Sequence, residues 1–153
     1  LVKFQATLCE QLILHVRQLA WLHTAPKPAG GDNLTSIRKS RAEQFDESEK
    51  FIDMPACDLP YMIDYLFQIG PVINSGAIPH SEIESWQKNT GYKLNGWEAA
   101  TLRRLSISYL NESSLAEDIN RPAPFDPDAA ENIMKEKAAK AFAASMAGRF
   151  GRK

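Results

Sequence analysis

Asn95-Gly96-Trp97-Glu98-Ala99-Ala100-Thr101-Leu102-Arg103-Arg104-Leu105-Ser106-Ile107-Ser108-Tyr109-Leu110 predicts the longest helix in the middle of the chain. Asn95 is a favoured N-cap residue, and Glu98 three positions on can return the bond, so the pair reads as a capping box. Leu102, Leu105 and Tyr109 recur at the 3–4 spacing of one helical face, with Leu110 beside them. Arg103 and Arg104 fall off that stripe.

Working outward, Ser81 with Glu84 reads as a second and stronger capping box, opening a helix that carries Ile83 and Trp86. Asn89-Thr90-Gly91 stops it. Upstream, Leu59, Met62, Ile63, Leu66 and Ile69 form another helical stripe, which Tyr61 and Tyr65 widen on a second side. Gly70-Pro71 ends that helix. Asn74-Ser75-Gly76 then separates two short apolar pairs, the pattern of a small hairpin or an ordered loop.

At the N-terminal end, Phe4, Leu8, Leu12, Leu19 and Leu22 mark an amphipathic helix over 4–22. The run from Ala25 to Gly31, with two prolines and two glycines, blocks its continuation. Asp32 to Asp53 is highly charged and suggests a loosely held helix, with Ile37, Phe45, Phe51 and Ile52 as its apolar contacts. At the other end, Arg121 to Pro127 reads as a stiff Pro-rich linker. Asp126 as N-cap and Pro127 at the first helical position announce a last helix, carrying Met134, Ala138, Phe142 and Met146. Gly148 to Lys153 is expected to be a disordered, solvated end.

The expected fold is therefore all-α. It has an N-terminal helix with a charged segment (1–53), a helical core domain (54–120), and a C-terminal helical arm on a Pro-rich linker (121–153). Composition agrees: 19 alanines and 14 leucines against three valines and five threonines favour helix over strand.

The formal net charge of −1 over 153 residues gives no global case for nucleic acid. Charge is unevenly spread: residues 54–120 carry four basic and eight acidic side chains, residues 121–153 seven and four. A basic tail on an acidic body can fold back or seek an acidic partner. No run of about 20 apolar residues and no signal-peptide pattern occurs, so a cytoplasmic protein without membrane contact is expected. Two cysteines, Cys9 and Cys57, cannot make a disulfide framework.

Chemistry is not indicated. The chain lacks G-x-S-x-G, a Walker-type loop and G-x-G-x-x-G. Cys9, His15, His23, Cys57 and His80 show no metal-ligand spacing, so no metal, cofactor or catalytic residue is expected. Of Glu82, Glu84 and Glu98, two are accounted for by helix starts rather than acid–base work. Tyr61, Tyr65, Trp86, Tyr92 and Trp97 concentrate aromatics in the acidic middle, where they anchor a core or make a binding patch.

One succession carries a family resemblance. It runs Ile69-Gly70-Pro71-Val72, then Ile78-Pro79-His80-Ser81-Glu82-Ile83-Glu84-Ser85-Trp86-Gln87, then Thr90-Gly91. It continues with Gly96-Trp97-Glu98-Ala99-Ala100-Thr101-Leu102-Arg103-Arg104-Leu105-Ser106 and Tyr109-Leu110-Asn111-Glu112-Ser113. Over about residues 59–124 this resembles the phage tail assembly chaperones, small proteins encoded between the tail tube and tape measure genes. Glu82, Trp86, Gly91, Trp97, Glu98, Leu105 and Tyr109 occupy the recurring positions, and all read physically as helix starts, turns and core anchors. The N-terminal third departs from the pattern. Some members are made in the downstream frame of a translational frameshift, which fits a first methionine as late as Met54.

The resemblance implies a protein that coats the tape measure protein, recruits tail tube protein and leaves before the virion is complete. Tyr61, Tyr65, Arg103, Arg104, Met134, Phe142 and Met146 are the expected partner-binding residues, and self-association is open. A minor structural tail or neck protein retained in the virion, or a small helical nucleic-acid-binding regulator, are the alternatives.

Overall fold

A computed structural model describes residues 1–29 and 37–150. The glycine pair Gly30-Gly31, the opening of the expected loose helix (32–36) and the terminal residues 151–153 lie outside the described residues. The fold is all-α: six helices and no strand among the described residues.

The first helix, α1 (Val2–His23), ends where Thr24 turns extended and its hydroxyl bonds back to the Ala20 carbonyl at 2.7 Å. The chain then runs along the end of a later helix, with Lys27 N–H donating to the Glu117 carbonyl at 2.8 Å. Among the described residues of the expected loose helix (37–53), seven are helical, as α2 (Arg41–Glu47). Ser40 and Glu43 form a full capping box there, a signal the sequence carries in plain sight. Phe45 and Ile52 reach the core, but Ile37 and Phe51 are almost wholly exposed, contrary to expectation.

In α3 (Pro60–Ile69), Met62 and Leu66 are fully buried, and Pro60 opens the helix where its missing N–H costs nothing. Asn74 and Ser75 both take positive φ (49° and 63°), and Ile73 and Gly76 exchange two backbone bonds of 2.9 Å. The expected hairpin is thus a single tight turn of the type that requires two left-handed residues.

The helix α4 (His80–Thr90) does not start at the expected box. It opens at Pro79, whose carbonyl already accepts from Glu82 and Ile83 N–H, which puts Ser81 inside the helix. Glu84 pairs with Lys88 at 2.7 Å instead. Gly91 closes the helix at φ 77°, its N–H on the Gln87 carbonyl at 2.9 Å. By contrast α5 (Gly96–Ala116) has the Asn95–Glu98 box complete, with both bonds at 2.9 Å.

The main core gathers Leu12 and Val16 of α1, Met62 and Leu66 of α3, Ile78, Ile83 of α4, and Leu102 and Leu105 of α5. The compact unit therefore extends beyond residues 54–120: α1 packs against α2, α3 and α5 and is central, not appended. Its burial extends to Gln18, whose side chain is covered by the backbone of Asp53 and Phe125. A smaller cluster of Trp21, Leu22 and Ala116 sits under α2. No described helix is long and apolar enough to cross a membrane.

The last helix, α6 (Pro127–Phe150), packs against no other helix among the described residues. Its N-cap is as expected: Asp126 Oδ1 accepts from Asp128 and Ala129 N–H, each at 3.1 Å.

Candidate protein-binding surfaces

Residues expected to bind a partner divide into three separate places. Tyr61 and Tyr65 meet Trp86 and Tyr92 in one aromatic cluster on α3, α4 and the turn after it. Tyr65 lies 4.8 Å from Trp86 and 5.0 Å from Tyr92, ring centre to ring centre, and Trp86 and Tyr92 stack at 5.5 Å. Trp86 is buried beneath, while Tyr61 and Tyr92 face solvent. Tyr61 Oη donates to Glu98 Oε1 at 2.9 Å. Partial burial, with the Glu98 carboxylate beside it, pushes the Tyr61 hydroxyl up to about 12. Glu98 thus serves twice, as cap of α5 and as acceptor for this cluster. Rings in such direct mutual contact leave no open cage for a ligand; they present a firm apolar patch with polar edges.

Arg103 does not face outward freely. Its Nη1 donates to the Ile78 carbonyl at 2.9 Å, holding the loop before α4 against α5. The same loop is fixed by Ser106, whose hydroxyl donates to the Pro71 carbonyl and accepts from Ile78 N–H. Arg104 is exposed. The two arginines therefore differ in role although adjacent in sequence. Trp97 is half-buried and Leu105 fully buried. Tyr109 packs edge-on with Phe67 and bonds to His23 Nδ1 at 3.1 Å.

Met134, Phe142 and Met146 lie on α6, where every described side chain from Glu131 to Gly148 is exposed. Met134 is 72% and Phe142 67% exposed. With Ala138 they form one row at i, i+4, i+8 and i+12, an apolar ridge of the kind that seats in a groove of another helix surface. Lys135 pairs with Glu131 at 2.6 Å and Lys140 with Glu136 at 2.9 Å along the helix.

The Pro-rich linker that carries this helix is not loose. Gln18, fully buried on α1, donates to the carbonyls of Phe125 (3.0 Å) and Asp53 (3.2 Å) and accepts from Phe125 N–H at 3.0 Å. Trp21 Nε1 donates to the Arg121 carbonyl at 2.8 Å. Arg121 itself forks onto Glu112, which also accepts from Arg17 Nε at 3.0 Å. The linker is pinned through Phe125, two residues before α6 begins.

Sequence reasoning missed these clasping residues. Gln18 and Glu112 look like ordinary polar helix positions, and each has a partner far off in sequence, Phe125 at 107 residues and Arg17 at 95. Arg41 is hidden the same way. Its guanidinium donates to the Trp21, Ala116 and Asp118 carbonyls and lies 4.6 Å above the Trp21 ring, closing the ends of α1 and α5 together. Burial lowers its affinity for a proton, and the Asp118 and Glu112 charges partly restore it.

Beside Trp21 lies a cleft of about 390 Å³, floored by Trp21, Phe45, Ile52 and Ala123 and flanked by Phe51. Asp53, Asp126 and Asp128 line its rim. Cys9 is buried, and Cys57 is partly buried, with burial pushing its thiol up, away from the thiolate a nucleophile needs. No group of three or more His, Cys, Asp and Glu among the described residues is placed to hold a metal ion. No protein-family model, curated protein or solved structure matches this chain.

Proposed function

We propose that this chain is a non-enzymatic protein-binding module acting as a phage tail assembly chaperone. In this reading it covers the tape measure protein and brings tail tube protein to it in the host cytoplasm. The observation that carries the reading is α6, a helix that follows a pinned linker and whose apolar ridge of Met134, Phe142 and Met146 is exposed and packs on no other helix among the described residues. Isolated helices gain most of their stability from packing an apolar face, so such a ridge is built to be covered. Covering each of those three side chains contributes about 1.5–3 kcal/mol before ordering costs, enough for a reversible contact.

The succession from Ile69 to Ser113 supports the choice of partner, through its resemblance to the chaperones. A tape measure protein is a long helical chain with apolar surface that aggregates unless covered. The aromatic patch of Tyr61, Tyr65 and Tyr92 offers a second contact area, suited to a second protein.

Co-expression tests the reading. With this chain present, the tape measure protein from the same phage should stay in the supernatant and co-elute with it. Purified virions should contain none of it by mass spectrometry. Retention in the virion would favour a minor structural tail or neck protein. Salt-sensitive retention on DNA, with no effect on the tape measure protein, would favour the regulator.

A further inference from the structure

Two clefts of the body share Trp21 and Phe45, whose rings lie 6.1 Å apart, and so adjoin along that pair. One is the acid-rimmed cleft beside Trp21. The other, of about 400 Å³, has Trp21, Phe45, Pro26 and Ile119 as its apolar walls. Among the described residues its charged lining is Arg41 and Lys50, with no carboxylate. The acid-rimmed cleft has the opposite balance, with Asp53, Asp126 and Asp128 and no cation among the described residues. Together they make one apolar trough whose two ends differ in sign.

Both ends have charge to spare. Arg41 is 6% exposed, and its hydrogen bonds run from Nη1 and Nη2 to carbonyls, which carry no net charge. Its Nε–H has no partner among the described residues, where no fully buried side-chain nitrogen or oxygen goes unpaired. That donor therefore reaches solvent, and the cleft is where Arg41 meets it. Burial still holds the guanidinium below its ordinary pKa, so a carboxylate arriving there supplies the charge it is short of. Lys50 makes no ion pair among the described residues, although Asp46 and Glu49 share a neighbouring cleft with it. Asp53 and Asp128 make none either.

We propose that the trough binds an extended peptide segment of a partner protein, with large apolar residues between an acidic end and a basic end. The apolar residues sit on Trp21 and Phe45. The acidic end meets Arg41 and Lys50, and the basic end meets Asp53 and Asp128. A small organic acid would fill one cleft and leave the charges of the other unmet, and a nucleic acid would be repelled by the three carboxylates. Opposite charges at the two ends select for such a segment more than they tighten its binding. This site goes beyond the reading of α6, whose ridge it does not use, and stands whichever protein that ridge covers.

The test uses the full chain with no tail protein present, so its failure is separate from failure of the proposed function. The probe is the acetylated, amidated hexapeptide Glu-Glu-Leu-Phe-Lys-Lys, titrated by calorimetry. It should bind saturably, and more weakly as salt is added. Replacing both Glu by Gln, or both Lys by Gln, should weaken it roughly three- to tenfold. Replacing Leu-Phe by Ser-Ser should weaken it more than about tenfold. On the protein, Lys50→Glu should weaken the parent peptide but not the peptide with Gln for Glu. Asp53→Lys should likewise weaken the parent but not the peptide with Gln for Lys. Both positions are exposed, so these variants keep the fold, which circular dichroism verifies. Three results would each overturn the proposal. These are no saturable binding of the parent peptide; Gln-substituted peptides that bind as well as the parent, which makes the trough an apolar contact alone; and variants that weaken parent and Gln-substituted peptides equally, which removes the charge pairing from these residues.

Discussion

Glu112 is 1% exposed and still carries its charge, because two guanidiniums hold it. Burial alone would raise its pKa, but hydrogen bonds and charge from Arg121 and Arg17 outweigh it and hold the carboxyl below its ordinary 4.5. A carboxylate depressed on folding contributes stability that is complete above the unfolded value and is lost as pH falls through the folded one. The chain should therefore lose stability below about pH 4.5, and Glu112→Gln should lack that component of the acid transition. At neutral pH the same substitution should cost about 3 kcal/mol in urea unfolding, the low end for a broken buried pair, because both arginines keep some water contact. An unchanged acid limb in the variant would show that Glu112 plays no part in it. The two core tryptophans also separate at this scale. Trp86→Ala should cost about 3–5 kcal/mol, whereas half-buried Trp97→Ala should cost less, and a reversal of that order in denaturant melts would contradict their burial.

Among the elements, what was legible had local causes. Gly91, Asn95 with Glu98, and Asp126 with Pro127 all act within four residues of themselves, and the structure has each where the sequence put it. Ser81 with Glu84 failed for an equally local reason, since Pro79 starts the helix two positions earlier. What stayed hidden depends on distant partners. Nothing near Gln18 in sequence says that it clasps Phe125, so the linker read as stiff while its attachment to α1 went unseen. Replacing Gln18 with Ala strands the Phe125 N–H and carbonyl and should cost about 1–3 kcal/mol. Hydrogen exchange at the Phe125 amide should accelerate at the same time. Unchanged protection at that amide would mean that other contacts pin the linker.

At the scale of the whole molecule, the body and α6 are stabilised differently. The body closes on itself: α1 fills the middle, and Arg41, Gln18 and Glu112 tie its ends and linker with bonds that span most of the chain. The sequence showed the helices of that body but not that α1 lies at its centre, because apolar stripes say which face is buried and not against what. The last helix takes no part in this closure and offers its ridge outward. Removal of residues 127–153 therefore measures both halves of the account at once. The shortened chain should melt within about 2 °C of the full one, and it should fail to keep the co-expressed tape measure protein in the supernatant. A shortened chain that unfolds, or that protects the tape measure protein as well as before, would contradict the account.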